Sequence, residues 1–498
     1  MTTYPADLST HFESAHSAFD AVVDELMSEG ARSMDHGAVE TLVETNGREI
    51  LRQLFQGHLA LRSAQEERAA MKGADGAVRA HVKSSRRSLG SLFGVVHLMR
   101  LALTARGAKG GLRPLDVELN MPVGKYTFGV RCRASELVAS VPYDTAVDQL
   151  NRTTGASVAK RQVEDMVVHA ANDFDAFYAH QELVMTKSTD LLVVSFDGKG
   201  VVMRPEALRQ PTHKAAQKAK GKLARRRSPG EKPRKRMAEV AAIYEVARNP
   251  RTAAQVMGTA DQDPAPRPKN KRVWASVVDD AADVIWKGFA EAARRDPTIE
   301  RPWVALVDGN PHQLRQIRAH AADLGADITV VVDFIHVVEY IWKAAWALFD
   351  KGDPAAEPWV EGHIQRLLNG GSHRVVQALR QTITKRGMTS QEAKPLEKAA
   401  NYLHKLREFI RYDAFLEAGL PIATGVIEGA CRHLVKDRMD VTGARWGLEG
   451  AEAVLRLRAL KSSGDLDRYW GFHHRRELER NHLNNYAADE MSELREAA

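Results

Sequence analysis

Hydrophobic positions change their period along the chain, and each change marks an element. Two short apolar runs bounded by turn residues, Leu191 to Phe196 and Trp303 to Val307, have the length of buried strands. The first leads into Asp197-Gly198 and the second into Asp308-Gly309-Asn310, so both aspartates are predicted at strand ends. Gly198-Lys199-Gly200 followed by Val201-Val202-Met203 reads as a hairpin, and Ala238 to Val246 as a further strand. A polar, proline-rich connection runs from Pro250 to Lys271. Helical period then covers Asp279 to Arg295 and Pro311 to Leu324, strand pattern Ile328 to Val332, and helical period again from Phe334 through Phe349. This alternation predicts an α/β unit. Pro354 to Leu420 is helical in pattern almost throughout, and Glu428 opens another helical segment.

Upstream, Leu42, Ile50, Leu51, Leu54 and Leu61 fall at helical spacing within Pro5 to Lys72. Between Gly94 and Asn120 short strand-like pieces surround a basic glycine turn, Arg106 to Gly111. Tyr143 to Ala170 holds two short amphipathic stretches around Thr153-Thr154-Gly155, the form of a helix-turn-helix. Lys160, Arg161 and Gln162 then fall early in the second helix, where base edges are read. A plain helical hairpin gives the same pattern. The predicted organisation is a helical region 1–93, a DNA-binding region 94–188 with the helix-turn-helix at about 143–170, a first core part 189–343 with a basic loop 205–237, a helical insertion 344–420, and a final core helix with a helical C-terminal region 421–498.

The chain has 498 residues, 44% hydrophobic and 27% charged, enough for several domains with full cores. No apolar run is long enough to span a membrane and the first residues lack the order of a signal peptide, so a cytoplasmic protein is expected. Two distant cysteines, Cys132 and Cys431, make neither a disulfide framework nor a cysteine zinc site. The net charge of +7 matters because the excess is concentrated. His213 to Arg236 is dense in cations, among them Arg225, Arg226, Arg227, Lys235 and Arg236, and reads as a loop that contacts phosphate.

Candidate chemistry centres on three carboxylates. Asp197 and Asp308 after strands, with Glu428 from a helix, make the hard oxygen set that Mg2+ or Mn2+ prefers. Singly each is an ordinary turn or capping residue; as a set they outline a two-metal site. Asp333 and His336 follow a strand, with His336 at helical spacing from Tyr340; a supporting role beside the site is expected, not zinc binding. Arg432 and Lys436 share a helical face with Glu428 and could clamp a DNA backbone or form an ion-pair ladder. Trp446 reads as core, and His473, His474 and His482 among arginines as a basic surface helix. Neither a Walker loop nor a Ser-His-Asp set occurs, so no nucleotide cofactor is expected.

The motifs Pro142-Tyr143, Ser195-Phe196-Asp197-Gly198, Lys235-Arg236-Met237-Ala238, Leu306-Val307-Asp308-Gly309, Asp333-Phe334-Ile335-His336 and Gly425 to His433 through Arg445-Trp446 resemble those of the DDE-class transposases of bacterial insertion sequences, specifically the Kra-type insertion-sequence family. The resemblance runs from about Gly94 to His473. It implies an RNase H-like core with Asp197, Asp308 and Glu428 as catalytic, metal-holding triad, Asp333 and His336 as a (C/D)xxH element, Mg2+-dependent cleavage and 3′-hydroxyl joining of double-stranded DNA, and a homo-dimer or larger assembly on the nucleoid. Members often carry a cysteine pair before the motif that here reads Pro114-Leu115-Asp116; this chain has Thr104-Ala105-Arg106-Gly107 and no cysteine there, so zinc is not expected. A silent DNA-binding protein and an RNase H-like nuclease without joining remain alternatives.

Overall fold

The computed structural model describes residues 6–181, 189–218, 234–261, 264–441 and 443–497. The chain divides into two compact units, Met1–His180 with Asp465–Ala498, and Gln181–Gly464. Among the described residues no helix is long and apolar enough to cross a membrane.

The first unit opens with helices Glu13–Met27 and His36–Ala64, the latter started by the Asp35 carboxylate accepting from the Ala38 amide. The helical expectation for 1–93 holds only to Ala64. Beyond it lie short strands β1 (Met71–Lys72) and β2 (Val78–Arg79), then a long hairpin of β3 (His81–Ser91) and β4 (Gly94–Thr104). Most of β3 is exposed and polar, so no apolar alternation marks it as a strand. Helices Phe128–Ser140, Tyr143–Thr153 and Lys160–Ala170 follow. The turn between the last two needs Gly155, since a Cβ there would come within 2.4 Å of the Phe93 backbone.

The C-terminal stretch does not stay with the core helix as expected; Asp465–Ala498 belongs to the first unit. Helix Leu466–Asn481 exposes Arg475, Arg476 and Arg480 as expected of a basic surface helix, but its histidine face is turned inward. His473 is 4% exposed, with Nδ1 lying 2.7 Å from Asp173 Oδ2, while Arg480 donates to both oxygens of the same carboxylate. His482 is buried against the Met121 carbonyl, and burial pushes His474 down to about 4. Histidines whose partners lie some 300 positions away cannot be told from surface ones by local pattern.

The second unit is a mixed α/β domain on a five-stranded sheet. Its strands are β5 (Leu191–Val202), β6 (Lys235–Val246), β7 (Lys269–Ser276), β8 (Trp303–Val307) and β9 (Ile328–Val332), in the order β7-β6-β5-β8-β9. β6 is antiparallel to β5 and β7, whereas β8 and β9 run parallel to β5. The predicted hairpin at Gly198-Lys199-Gly200 is absent: β5 continues straight through, paired with β6 from Leu191↔Val246 to Val202↔Lys235. The two glycines make room for side chains of β6, since Cβ atoms would come within 2.9 Å of Met237 and Lys235. β7 escaped the sequence reading because it starts in a charged stretch behind the proline-rich connection.

Consecutive residues of a strand face opposite sides. The Phe196 side of β5 is covered by helix Ala281–Arg295, where Gly288 lies directly on the ring, with no room for a Cβ. The Asp197 side receives the Glu428 helix. Helix Leu448–Ser463 packs along β7 and presents Glu452, whose buried carboxylate accepts from the Ser276 hydroxyl and the Val277 amide. Helices Ala356–Leu368, Ser372–Lys385, Ser390–Lys405 and Tyr412–Glu417 form the expected helical segment. Two of its tyrosines donate to the sheet's C-terminal edge, Tyr402 to the Asp308 carbonyl and Tyr412 to that of Val332. Trp446 is core as expected, its indole donating to the Met439 carbonyl.

Candidate active site

Strand register brings the aspartates together. β5 and β8 pair Ser195 with Leu306, so two residues on Asp197 stands beside Asp308. β8 and β9 pair Val307 with Val332, so the next level sets Asp308 beside Asp333. Neighbouring strands are roughly 4.8 Å apart. Three aspartates thus occupy one row across β5, β8 and β9. Asp197 lies inside its strand, not at the end as predicted, but β8 and β9 stop at its level.

Glu428 reaches this row on helix Gly425–Ala430. Asp333 anchors that helix: its buried carboxylate accepts from the Thr424 hydroxyl at 2.7 Å and the Thr424 amide at 3.3 Å, while Glu428 N donates to the Thr424 carbonyl. One turn after Glu428, the Cys431 thiol donates to Asp197 Oδ2 at 3.2 Å. Burial and then the Asp197 charge push this thiol above its ordinary range, which keeps it a donor. From Cys431 to Lys436 the helix widens to π winding, a feature frequent at functional sites.

Each carboxylate of the row is turned to a local donor. Asp197 Oδ1 accepts from the Gly198 amide, Asp308 Oδ1 from the Asn310 amide, and Asp333 Oδ1 from the Ile335 amide. Among the described residues no group of three or more His, Cys, Asp or Glu side chains is drawn closely enough together to hold a metal ion. Like charges avoid one another when nothing balances them. The exposed Glu428 carboxyl registers that imbalance: partial burial, then the charges of Asp333 and Asp197, raise it above the ordinary glutamate range.

Two outcomes follow from this geometry. Because a raised carboxyl binds its proton more tightly in the folded state, stability falls as pH rises from the unfolded value through the raised one. Glu428→Gln should therefore raise the melting temperature at pH 7 by an amount worth under about 1 kcal/mol, the group being well solvated, with no gain below pH ~4. Thermal melts across pH check this, and an equal gain at every pH would contradict it. Thr424→Val removes two functions at once, the bond to Asp333 and the satisfaction of a buried charge, costing about 1–3 kcal/mol. Hydrogen exchange should accelerate first in 425–436; unchanged exchange there would remove Asp333 as the anchor.

The His336 ring packs edge-on to Tyr340 and Tyr402. The Tyr402 phenol is kept protonated by burial first and the Asp308 charge second, and so holds the Asp308 loop by its carbonyl. Gly309, at φ 86°, lies so near Leu406 of the helical segment that a Cβ would approach to 2.6 Å. Tyr402, Tyr412 and Thr424 gave no sequence signal; Cys431, three residues after Glu428, could have been found from helical spacing.

The expected DNA contacts divide. Arg161 is 82% exposed with long ion pairs to Glu164 and Asp165, and Lys160 pairs with Asp144 at the surface. Gln162 is not free to read a base: its Oε1 accepts from the Tyr126 hydroxyl and from the Ala159 amide that starts its own helix. Arg236 is withdrawn as well, its guanidinium donating to the carbonyls of Val277 and Ala207 beside the sheet, and Lys235 begins β6 instead of lying in a loop. Of the predicted basic loop 205–237, residues 210–218 are helical. Arg225, Arg226 and Arg227 lie outside the described residues. Arg432 and Lys436 are exposed on the turn after Glu428, with Arg432 3.7 Å from Asp437.

No family model matches the chain, and neither does any curated protein.

Proposed function

We propose that the chain is a DDE-type DNA transposase whose second unit is an RNase H-like core interrupted by a helical insertion. The observation that carries this reading is the row of Asp197 and Asp308 on adjacent parallel strands with the Glu428 helix docked on Asp197 through Cys431. The sheet order supports it too: counted from β5, the strands lie three-two-one-four-five with β6 alone reversed, as an RNase H-like core requires.

Asp197, Asp308 and Glu428 suit Mg2+ or Mn2+ by donor chemistry, and a divalent cation would offset the Asp333 and Asp197 charges that, after burial, raise Glu428. When bound, such a pair of ions supplies activation of the attacking oxygen and neutralisation of the leaving one. The protein's own part is placement. Asp333 fixes the helix that carries Glu428, Tyr402 fixes the Asp308 loop, and Arg432 and Lys436 offer positive charge to the DNA backbone beside the site. In the first unit, Lys160 and Arg161 present a helix start to DNA. The proposed substrates are the element's ends and a target duplex, brought together by a dimer or larger assembly in the bacterial cytoplasm.

A labelled duplex carrying one end of the encoding element tests this reading. Mg2+-dependent nicking followed by joining supports it; nicking alone makes the protein a nuclease, and binding alone a silent DNA-binding protein.

A further inference from the structure

The helical segment bears a groove of about 940 Å3 that the reading above does not use. One wall is helix Phe334–Ala345 with Tyr340, Lys343 and the following Trp346; the other is helix Ser390–Lys405 with Gln391, Lys394 and Lys398. None of the lining side chains is acidic, whereas three are lysines. Trp346 is 45% exposed although it stacks on Trp342 at 5.1 Å, so a large aromatic face is left toward solvent. Pro395 inside the second helix has no amide hydrogen to give the Gln391 carbonyl.

The groove is coupled to the acidic row. Tyr340 stacks face to face on Tyr402 at 4.0 Å, and the Tyr402 hydroxyl holds the Asp308 carbonyl at 2.7 Å. One side chain, Tyr402, therefore separates the groove wall from Asp308. A second groove on the same segment carries His373, Arg380, Lys385 and His404 and again no acid, so the segment presents positive charge on more than one face.

Three lysines, of which Lys343 is shared with Glu339 at 3.1 Å, beside an exposed indole suit an unpaired polynucleotide strand: cations follow its phosphates, and the ring receives a base that duplex stacking would hide. We propose that this groove binds single-stranded DNA next to the cleavage point, one base stacking on Trp346 and the flanking phosphates lying along Lys343, Lys394 and Lys398. This deepens the transposase reading and rests on it for the origin of the strand, but not for the binding itself.

Fluorescence anisotropy with a labelled single-stranded oligonucleotide tests it, on full-length protein carrying Asp308→Asn and without divalent ions, so that no chemistry intervenes. Trp346→Ala should weaken single-strand binding about tenfold to a hundredfold, Trp346→Phe should restore most of it, and duplex-end binding should not change. Replacing the three lysines with Gln should flatten the salt dependence by about two logarithmic units per decade. Unchanged affinity in Trp346→Ala, failure of Trp346→Phe to restore it, preference for RNA of the same sequence, or displacement by polyglutamate at equal charge would each overturn the proposal. If the wild-type protein nicks and joins ends while Trp346→Ala binds normally, the groove assignment fails and the transposase reading stands. If it does neither but Trp346→Ala still loses the strand, the reverse holds.

Discussion

Asp308→Asn should lower Mg2+-dependent nicking of an end duplex by about a thousandfold or more while leaving the fold intact. The magnitude follows from several kcal/mol of transition-state charge stabilisation, at 1.36 kcal/mol for each factor of about ten. The fold should survive because Asp308 Oδ1 has a local task, accepting from the Asn310 amide, that an asparagine oxygen performs equally well. Its carbonyl, held by Tyr402, is untouched by the change. Circular dichroism and melting should therefore match the wild type. Full residual nicking would take Asp308 out of the site, and unfolding would assign it a structural role instead.

The second large effect is expected in the other unit. Asp173 is 4% exposed and serves His473 and two nitrogens of Arg480. Burial alone would raise its carboxyl, but bonds from His473 and Arg480 outweigh that and hold it below the ordinary range. Asp173→Ala leaves the buried His473 without its carboxylate, while the half-exposed Arg480 keeps Glu477, and should cost about 2–3 kcal/mol. The sign with pH is fixed by the depressed value: the stabilisation is complete above the unfolded carboxylate value near pH ~4 and disappears as pH falls through the lower folded one. Denaturant melts should thus separate variant from wild type at pH 7 and bring them together only in strong acid. A constant difference down to the lowest pH would show that the charge of Asp173 is not what matters.

Legibility from sequence followed the range of the interactions. Helix Pro311–Leu324 and strand Ile328–Val332 were predicted to the residue because apolar period, an Asn-Pro start and a glycine stop are all local. Local pattern failed where a distant partner decides. Gly198 and Gly200 look like a turn until β6 is laid beside them, and His473 looks like a surface residue until Asp173 is known to face it. At the site, the three carboxylates could be named from their contexts, but not their arrangement: only register shows that Asp197, inside its strand, stands level with Asp308. The same holds for Gln162 and Arg236, since the groups that occupy them, Tyr126 and the Val277 carbonyl, are remote in sequence. Thr424, Tyr402 and Tyr412 position the site through bonds that no motif announces.

In the proposed transposase Asp197, Asp308 and Glu428 act as one ligand set. Anomalous scattering from crystals of the protein soaked in Mn2+ tests it most directly. Scattering peaks should appear bounded by these three carboxylates, with Asp197 released from the Cys431 thiol. Mn2+ held elsewhere in the chain, or none bound while the row keeps its present local bonds, would contradict it.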